Sequence, residues 1–350
     1  MAKQMRNMAV ILVVLVSLLT TIVLGGCGAP APTATGKVIE WKIQSHYPAS
    51  DYCTSVQAAG YVKAINDKCQ GRLKLTLFNP DQVVAIKQEL QAVQSGQIDG
   101  IMSCGVYFTG VIPVGQLDYG LPFSFNDGSS WLKFMYQGGF VDFLREEYKK
   151  INVYYAAPAP MATTALMTTF PVATLADLKG KKVREAGLAT KVYQNWGMAP
   201  TPLPNPEMYM GLKLGTIDAI VYTLMELKSM SFWEVVKYTV FPSKGAGNIA
   251  LFINLDAWNS LPDDLKKTVN QALVDAAPVV AAAYAKDDKP ILDEAVAKHG
   301  VKVVQLPDAD AKALRAYAAT LWDEEAKKSP ASAKGVQMIK DWLKKEGLLS

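Results

Sequence analysis

Two hexapeptides of one pattern constrain this chain most: Gly96-Gln97-Ile98-Asp99-Gly100-Ile101 and Gly215-Thr216-Ile217-Asp218-Ala219-Ile220, both G-x-I-D-x-I. Each closes a stretch that reads β-α-β-α-β. In the first, Val38 to Gln44 forms a strand, and an amphipathic helix follows from about Ser55 to Lys68, stopped by Gly71. Arg72 to Leu77 then alternates with period two, so that Leu73, Leu75 and Leu77 share one face of a strand. Val83 to Ser95 is expected as a helix with Val83, Ile86, Leu90 and Val93 on one stripe and Gly96 as its cap, before Ile98 to Met102 re-enters the sheet. In the second stretch, Lys182-Val183-Arg184 ends a strand, Ala189 to Trp196 is a helix, Thr201 to Leu203 is extended, and Pro206 to Leu214 is a helix. Connections of this length suit parallel crossovers.

A duplicated unit of this kind predicts two lobes of the same build with a cleft between them. Parallel sheets bind ligands beyond the carboxyl ends of their strands, so the loops after Gln44, Met102, Val183 and Val221 should face one another across it. The C-terminal third reads as helices that brace the lobes: Pro262 to His299, interrupted near Pro278 and Pro290, then Asp308 to Lys328 and Ser332 to Glu346, with a strand at Val301 to Val304. His299 beside Gly300 suits a helix C-terminus. The expected division is residues 37–157 with about 224–262 in lobe 1, and 158–223 with about 263–350 in lobe 2.

Upstream, Met8 to Leu24 runs seventeen residues without a charge after Lys3 and Arg6, and ends in Leu24-Gly25-Gly26-Cys27. This resembles a bacterial lipobox, which implies a signal peptide over residues 1–26 and lipidation of Cys27. Residues 27–36, rich in Gly, Ala, Pro and Thr, would be a flexible tether to the membrane. An uncleaved membrane helix is the alternative; seventeen residues span roughly 25 Å against a hydrocarbon core of ~30 Å. Without the signal, the 36 Lys and Arg become 34 against 32 Asp and Glu. So even a balance gives no footing for nucleic acid, which needs clustered basic side chains. Two histidines, with no H-E-x-x-H, paired C-x-x-C or G-x-S-x-G, leave most metal and acyl-transfer chemistry without its parts, and neither metal nor cofactor is expected. Cys53 and Cys69 flank a helix too long for a disulfide to span; Cys53 with Cys104, or three buried free thiols, are the alternatives.

Further motifs fix a family resemblance. Asp177-Leu178-Lys179-Gly180-Lys181-Lys182-Val183-Arg184, Leu203-Pro204, Glu207-Met208-Tyr209 and the second G-x-I-D hexamer resemble the signature of the DctP-type substrate-binding proteins of TRAP transporters. Leu121-Pro122-Phe123 and Phe232 to Tyr238 are similar to two more of its segments, and the resemblance covers roughly residues 38 to 325. It implies an α/β, two-lobed fold of the type II periplasmic-binding-protein kind. The implied function is an extracytoplasmic receptor that closes on a small organic acid and delivers it to small and large TRAP membrane subunits. It also implies that Arg184 clamps the solute carboxylate, which a planar guanidinium fork fits. Glu185 departs from the small or apolar residue usual there, and is expected to pair with Arg184 or with a donor on the ligand.

Phe232 to Tyr238 followed by Phe241-Pro242 resembles the branch of that family that includes the 2-oxo acid binders, which pairs its arginine with a W-F-R element before D-L-K-G and a Glu-Trp after the second G-x-x-D, partly to hold a cation. Here Thr168, Thr169 and Phe170 stand near the first, and Val221-Tyr222 replaces the second. The expected pocket therefore has one arginine, hydroxyls from Ser45, Thr168, Thr169 and Tyr222, and walls from Phe108, Phe123 and Phe170. Tyr47, Tyr52, Cys104 and Tyr107 are further candidates, and His46 is read equally as a ligand contact or a structural turn residue. Such a pocket suits a carboxylate with an apolar or aromatic body. The competing readings are a sensing lipoprotein, a receptor for another transporter class, and an enzyme using Cys104 with His46.

Overall fold

The computed structural model describes residues 37–349, and Val38–Ser350 forms a single compact unit. The signal peptide, Cys27 and the tether lie outside the described residues. The strands are β1 (Ile39–Ser45), β2 (Leu73–Phe78), β3 (Gly100–Ser103), β4 (Val153–Thr168), β5 (Lys182–Arg184), β6 (Ala199–Pro200), β7 (Ala219–Thr223), β8 (Tyr238–Phe241), β9 (Ala246–Asn254) and β10 (Lys302–Gln305). One path runs β2-β1-β3-β9-β4-β7-β5-β6, with β8 bridging β4 and β10. The first half of β4 pairs with β9, and the second half with β7 and β8. A parallel trio thus stands at each end, β2-β1-β3 and β6-β5-β7, joined through the antiparallel β4 and β9. This is the α/β, parallel-rich arrangement expected from the repeat. β8 pairs with the second half of β4, and the chain returns to the first half of β4 through β9, from Ala246 on.

The hexapeptide repeats for a physical reason. Gly96 and Gly215 follow helices with φ of 74° and 72°, a left-handed turn that glycine adopts without a Cβ penalty. Ile98 and Ile217 are buried. The two aspartates then do the same work: Asp99 Oδ2 accepts from Lys42 N and Asp218 Oδ2 from Lys182 N, each at 2.7 Å. In both cases a carboxylate satisfies a backbone donor on the neighbouring parallel strand. Gly100 has a further constraint, because a Cβ there would sit 2.7 Å from the Phe252 carbonyl oxygen of β9.

Helix ends and breaks differ from the sequence reading in three places. The first helix opens with π-helical turns, Cys53–Ala58, before the α-helix Ala59–Cys69, whose end is set by Gln70 in the left-handed region. The expected Val83 to Ser95 helix contracts to a 3₁₀ turn at Ile86–Gln88 and a short α-helix at Glu89–Gln94. The Gln44 side chain holds the segment before it, accepting from Val83 N and Val84 N. Conversely, the helix expected to be interrupted at Pro278 and Pro290 is continuous over Asp263–His299. Proline removes one backbone donor, but the buried stripe from Leu265 to Ala295 packs this helix on Ala59–Cys69 and β4 and holds it as one element. No helix among the described residues is long and apolar enough to cross a membrane. Cys53, Cys69 and Cys104 are buried free thiols; Cys53 Sγ meets the Tyr284 hydroxyl, and Cys104 Sγ the Asn248 carbonyl, both at 3.4 Å.

Candidate functional site

Arg184 is the last residue of β5, and its surroundings explain how the local sequence delivers it. Thr174 and Asp177 form a capping box, Leu178 is buried, and Gly180 turns with φ 77° so that its N–H reaches the Gly197 carbonyl at 2.8 Å. β5 then runs parallel to β7, with Arg184 opposite Ile220. The guanidinium emerges from the carboxyl end of the sheet, 7% exposed. Its Nε donates to the Leu203 carbonyl at 3.1 Å, and Nη2 donates to Asn205 Oδ1 and to the Tyr107 hydroxyl, the latter at 3.4 Å. Among the described residues no carboxylate pairs with it. Burial works against its charge, yet Tyr107, Tyr222 and the neighbouring Glu185 outweigh it, so its pKa stays above the ordinary guanidinium value.

Two spaces meet at Arg184. The outer one is a cleft of about 720 Å³, within the range that holds small ligands. Arg184, Asn205, His46 and Tyr107 line one part of it, and Ile86, Leu90, Phe108, Val111, Pro202 and Leu203 supply apolar walls. Ile86 and Leu90, a core stripe by periodicity, thus face the cleft. The inner space is a small chamber of about 10 Å³ under Tyr47, Tyr107, Tyr119 and Tyr222, with Met161, Thr164 and Val221. Tyr107 and Arg184 line both spaces, so the Tyr107 ring is the partition.

A hydrogen-bond chain leads away from the arginine. Asn205 accepts from Arg184 and donates through Nδ2 to the Tyr222 hydroxyl at 3.1 Å, and Tyr222 donates to Asp51 Oδ2 at 2.7 Å. Asp51 also accepts from Cys53 N at 2.7 Å. Beside it stands Glu226, which accepts from Tyr52 N at 3.2 Å and from the Thr223 hydroxyl. Asp51 and Glu226 are both fully buried. Burial raises both carboxyl groups above the usual range, and for Glu226 the facing Asp51 adds to it. This chain ties the loop after β1 to the loops after β6 and β7.

His46 donates Nδ1–H to Glu89 Oε2 at 2.8 Å and stacks on Tyr107 with ring centroids 4.4 Å apart. Its ring lines the cleft while its nitrogen serves the fold. Ser45 is buried, its hydroxyl engaged with Thr54 Oγ1 at 2.6 Å and with Tyr47 N. Cys104 is buried behind the wall, and burial pushes its thiol well up, far from a ready nucleophile. Tyr52 reaches Asp287 through its hydroxyl and lines neither space.

The structure does not bring Thr168, Thr169 and Phe170 to the arginine. β4 is antiparallel to β7, so Thr164 lies opposite Thr223 beside the inner chamber while Thr168 lies opposite Ala219. Four residues of strand carry that end roughly 13 Å away. There Thr168 Oγ1 donates to the Phe170 carbonyl, Thr169 bonds the Asp218 carbonyl, and Phe170 sits under Lys181. Phe123 is likewise absent from both linings; its backbone, at φ 63°, donates its N–H to the Lys244 carbonyl. Glu185 does not pair with Arg184. Just past the end of β5 it turns to the other side, where Lys244 Nζ lies 3.0 Å from its Oε1. Asn205, Asp51, Tyr119, Lys244 and Glu226 were not anticipated; of these only Asn205, directly after Leu203-Pro204, had a motif beside it.

A family profile described as bacterial extracellular solute-binding protein, family 7 (DctP), matches residues 44–329. The monocarboxylate 2-oxoacid-binding periplasmic protein of Nostoc sp. is 25% identical over 297 residues, 84% of this chain and 81% of the relative. The 2,3-diketo-L-gulonate-binding periplasmic protein of Escherichia coli is 28% identical over 265 residues, 74% of this chain and 78% of that one. Among solved structures, a TRAP transporter solute-binding protein from Bordetella bronchiseptica, with calcium and picolinate in its site, superposes with a TM-score of 0.82 at 22% identity. It covers 89% of this chain and 94% of that one.

Proposed function

The chain belongs to bacterial extracellular solute-binding protein family 7, the DctP family, and from that premise we propose that its solute is a small organic acid whose carboxylate docks on Arg184 and whose apolar body fills the cleft. One observation carries this reading: a buried guanidinium without a carboxylate partner among the described residues opens on a cleft of about 720 Å³ with mostly apolar walls. A bidentate carboxylate would replace the long bond to Tyr107, while the bonds to Leu203 and Asn205 hold the fork in orientation. The relatives that bind 2-oxoacids and a diketo sugar acid support the same chemistry. We infer further that the lobes close over the solute, that the chain passes it to TRAP-type membrane subunits, and that Cys27 carries the lipid anchor. A role as sensing lipoprotein or as receptor for another transporter would use the same site.

Calorimetry of the purified protein with matched acids and their primary amides tests the reading. Binding of one or more monocarboxylic acids with apolar side groups is expected, with their amides bound at least a hundredfold more weakly. Equal binding of acid and amide, or binding of no acid, would contradict it.

A further inference from the structure

We propose that Glu185 sets the charge of the solute, restricting the site to monoanions by neutralising Lys244; this rests on the carboxylate-receptor reading. Arg184 and Glu185 are consecutive at the end of β5, and the first enters the cleft while the second turns to Lys244 behind the inner chamber. There Glu185 Oε1 lies 3.0 Å from Lys244 Nζ, with the two side chains 1% and 5% exposed. The Tyr119 hydroxyl joins the pair, donating to Glu185 Oε1 at 3.3 Å and accepting from Lys244 Nζ. Lys244 also sits 4.1 Å over the Tyr119 ring, and that ring is a wall of the inner chamber beside Arg184 and Tyr222. The Tyr119 ring and the small chamber behind the Tyr107 partition therefore lie between the ion pair and the cleft where a solute meets Arg184.

Buried charges interact strongly because little solvent screens them. Lys244 alone would make the inner site doubly cationic and favour a second carboxylate on the ligand. With Glu185 in place, the two charges cancel and Arg184 is the buried charge that a solute must match; Lys87, which also lines the cleft, is exposed and screened by solvent. Glu185 Oε2 is buried with no hydrogen-bond partner among the described residues. The surroundings leave this carboxylate incompletely satisfied, so packing alone does not account for an acid at this position. The cost of keeping it there is intelligible if its charge is what the site uses.

The test is calorimetry of the full chain with 4-methyl-2-oxopentanoate and 2-oxoglutarate, which share a 2-oxo acid head and differ in charge at the tail. Wild type is expected to prefer the monoanion at least tenfold. Glu185→Gln should move that ratio at least tenfold toward the dianion, and Glu185→Gln with Lys244→Met should restore it. Should the single variant not fold, Lys244→Gln gives a second reading: it leaves Glu185 uncompensated and should weaken monoanion binding at least tenfold. An unchanged ratio in folded Glu185→Gln, unchanged binding in Lys244→Gln, or a wild type that takes 2-oxoglutarate as tightly would overturn the proposal while leaving the receptor reading intact. Failure of wild type to bind any carboxylic acid would instead sink the receptor reading itself.

Discussion

Arg184→Ala is expected to weaken solute binding by about 2 to 5 kcal/mol, roughly thirty- to several-thousand-fold, because it leaves the solute carboxylate enclosed and unpaired. The substitution removes the buried cation at the junction of the two spaces and releases the Asn205 and Leu203 contacts. Arg184→Lys keeps the charge but offers no fork, so it should recover only part of the loss. Calorimetry reads both, with circular dichroism to confirm the fold. Retained affinity in Arg184→Ala would place the solute elsewhere.

A second large effect is expected on stability as pH changes. Asp51 and Glu226 face each other fully buried, within a shell of Tyr222, Tyr52, Cys53, Thr223 and Tyr284, and no basic side chain contacts either of them among the described residues. Burial raises both groups. Below the ordinary carboxylate range, folded and unfolded chains both hold these protons. As pH rises above it, the unfolded chain releases them first, so stability declines until the raised folded values are passed. The melting temperature should therefore be higher at mildly acidic pH than at pH 8. Glu226→Gln should flatten this dependence and raise the melting temperature at pH 8 by a few degrees, since ~1 kcal/mol corresponds to about 2–4 °C in a large domain. Its amide can donate to Asp51 or Thr223, where a second carboxylate can only accept. A melting temperature that climbs with pH in wild type, or an unaltered slope in Glu226→Gln, would refute this account.

The fold was legible where a local rule and the global arrangement agree. The G-x-I-D-x-I hexamers could be read because a left-handed glycine, a buried isoleucine and an aspartate that serves the adjacent strand are each demanded by geometry. β4 was not legible: it is buried along nearly its whole length, so its pattern lacks the alternation that marks a strand with one exposed face. Without β4, the orientation of Thr168 relative to β7 could not be known, and the motif neighbourhood suggested the wrong end of the strand. Arg184 was found because its motif is contiguous. Asp51, Lys244 and Asn205 reach the site from separate segments, and only the topology of β5, β7 and the loops around them brings such residues together.

The central claim, that a carboxylate docks on Arg184 where the cleft meets the inner chamber, is tested most directly by a crystal structure with the tightest-binding acid from the calorimetric panel. The expected result is a carboxylate on the guanidinium fork, the Tyr107 hydroxyl displaced from Nη2, and the Asn205 and Leu203 contacts kept. A solute seated away from Arg184, or one that meets it through a group other than a carboxylate, would contradict the account.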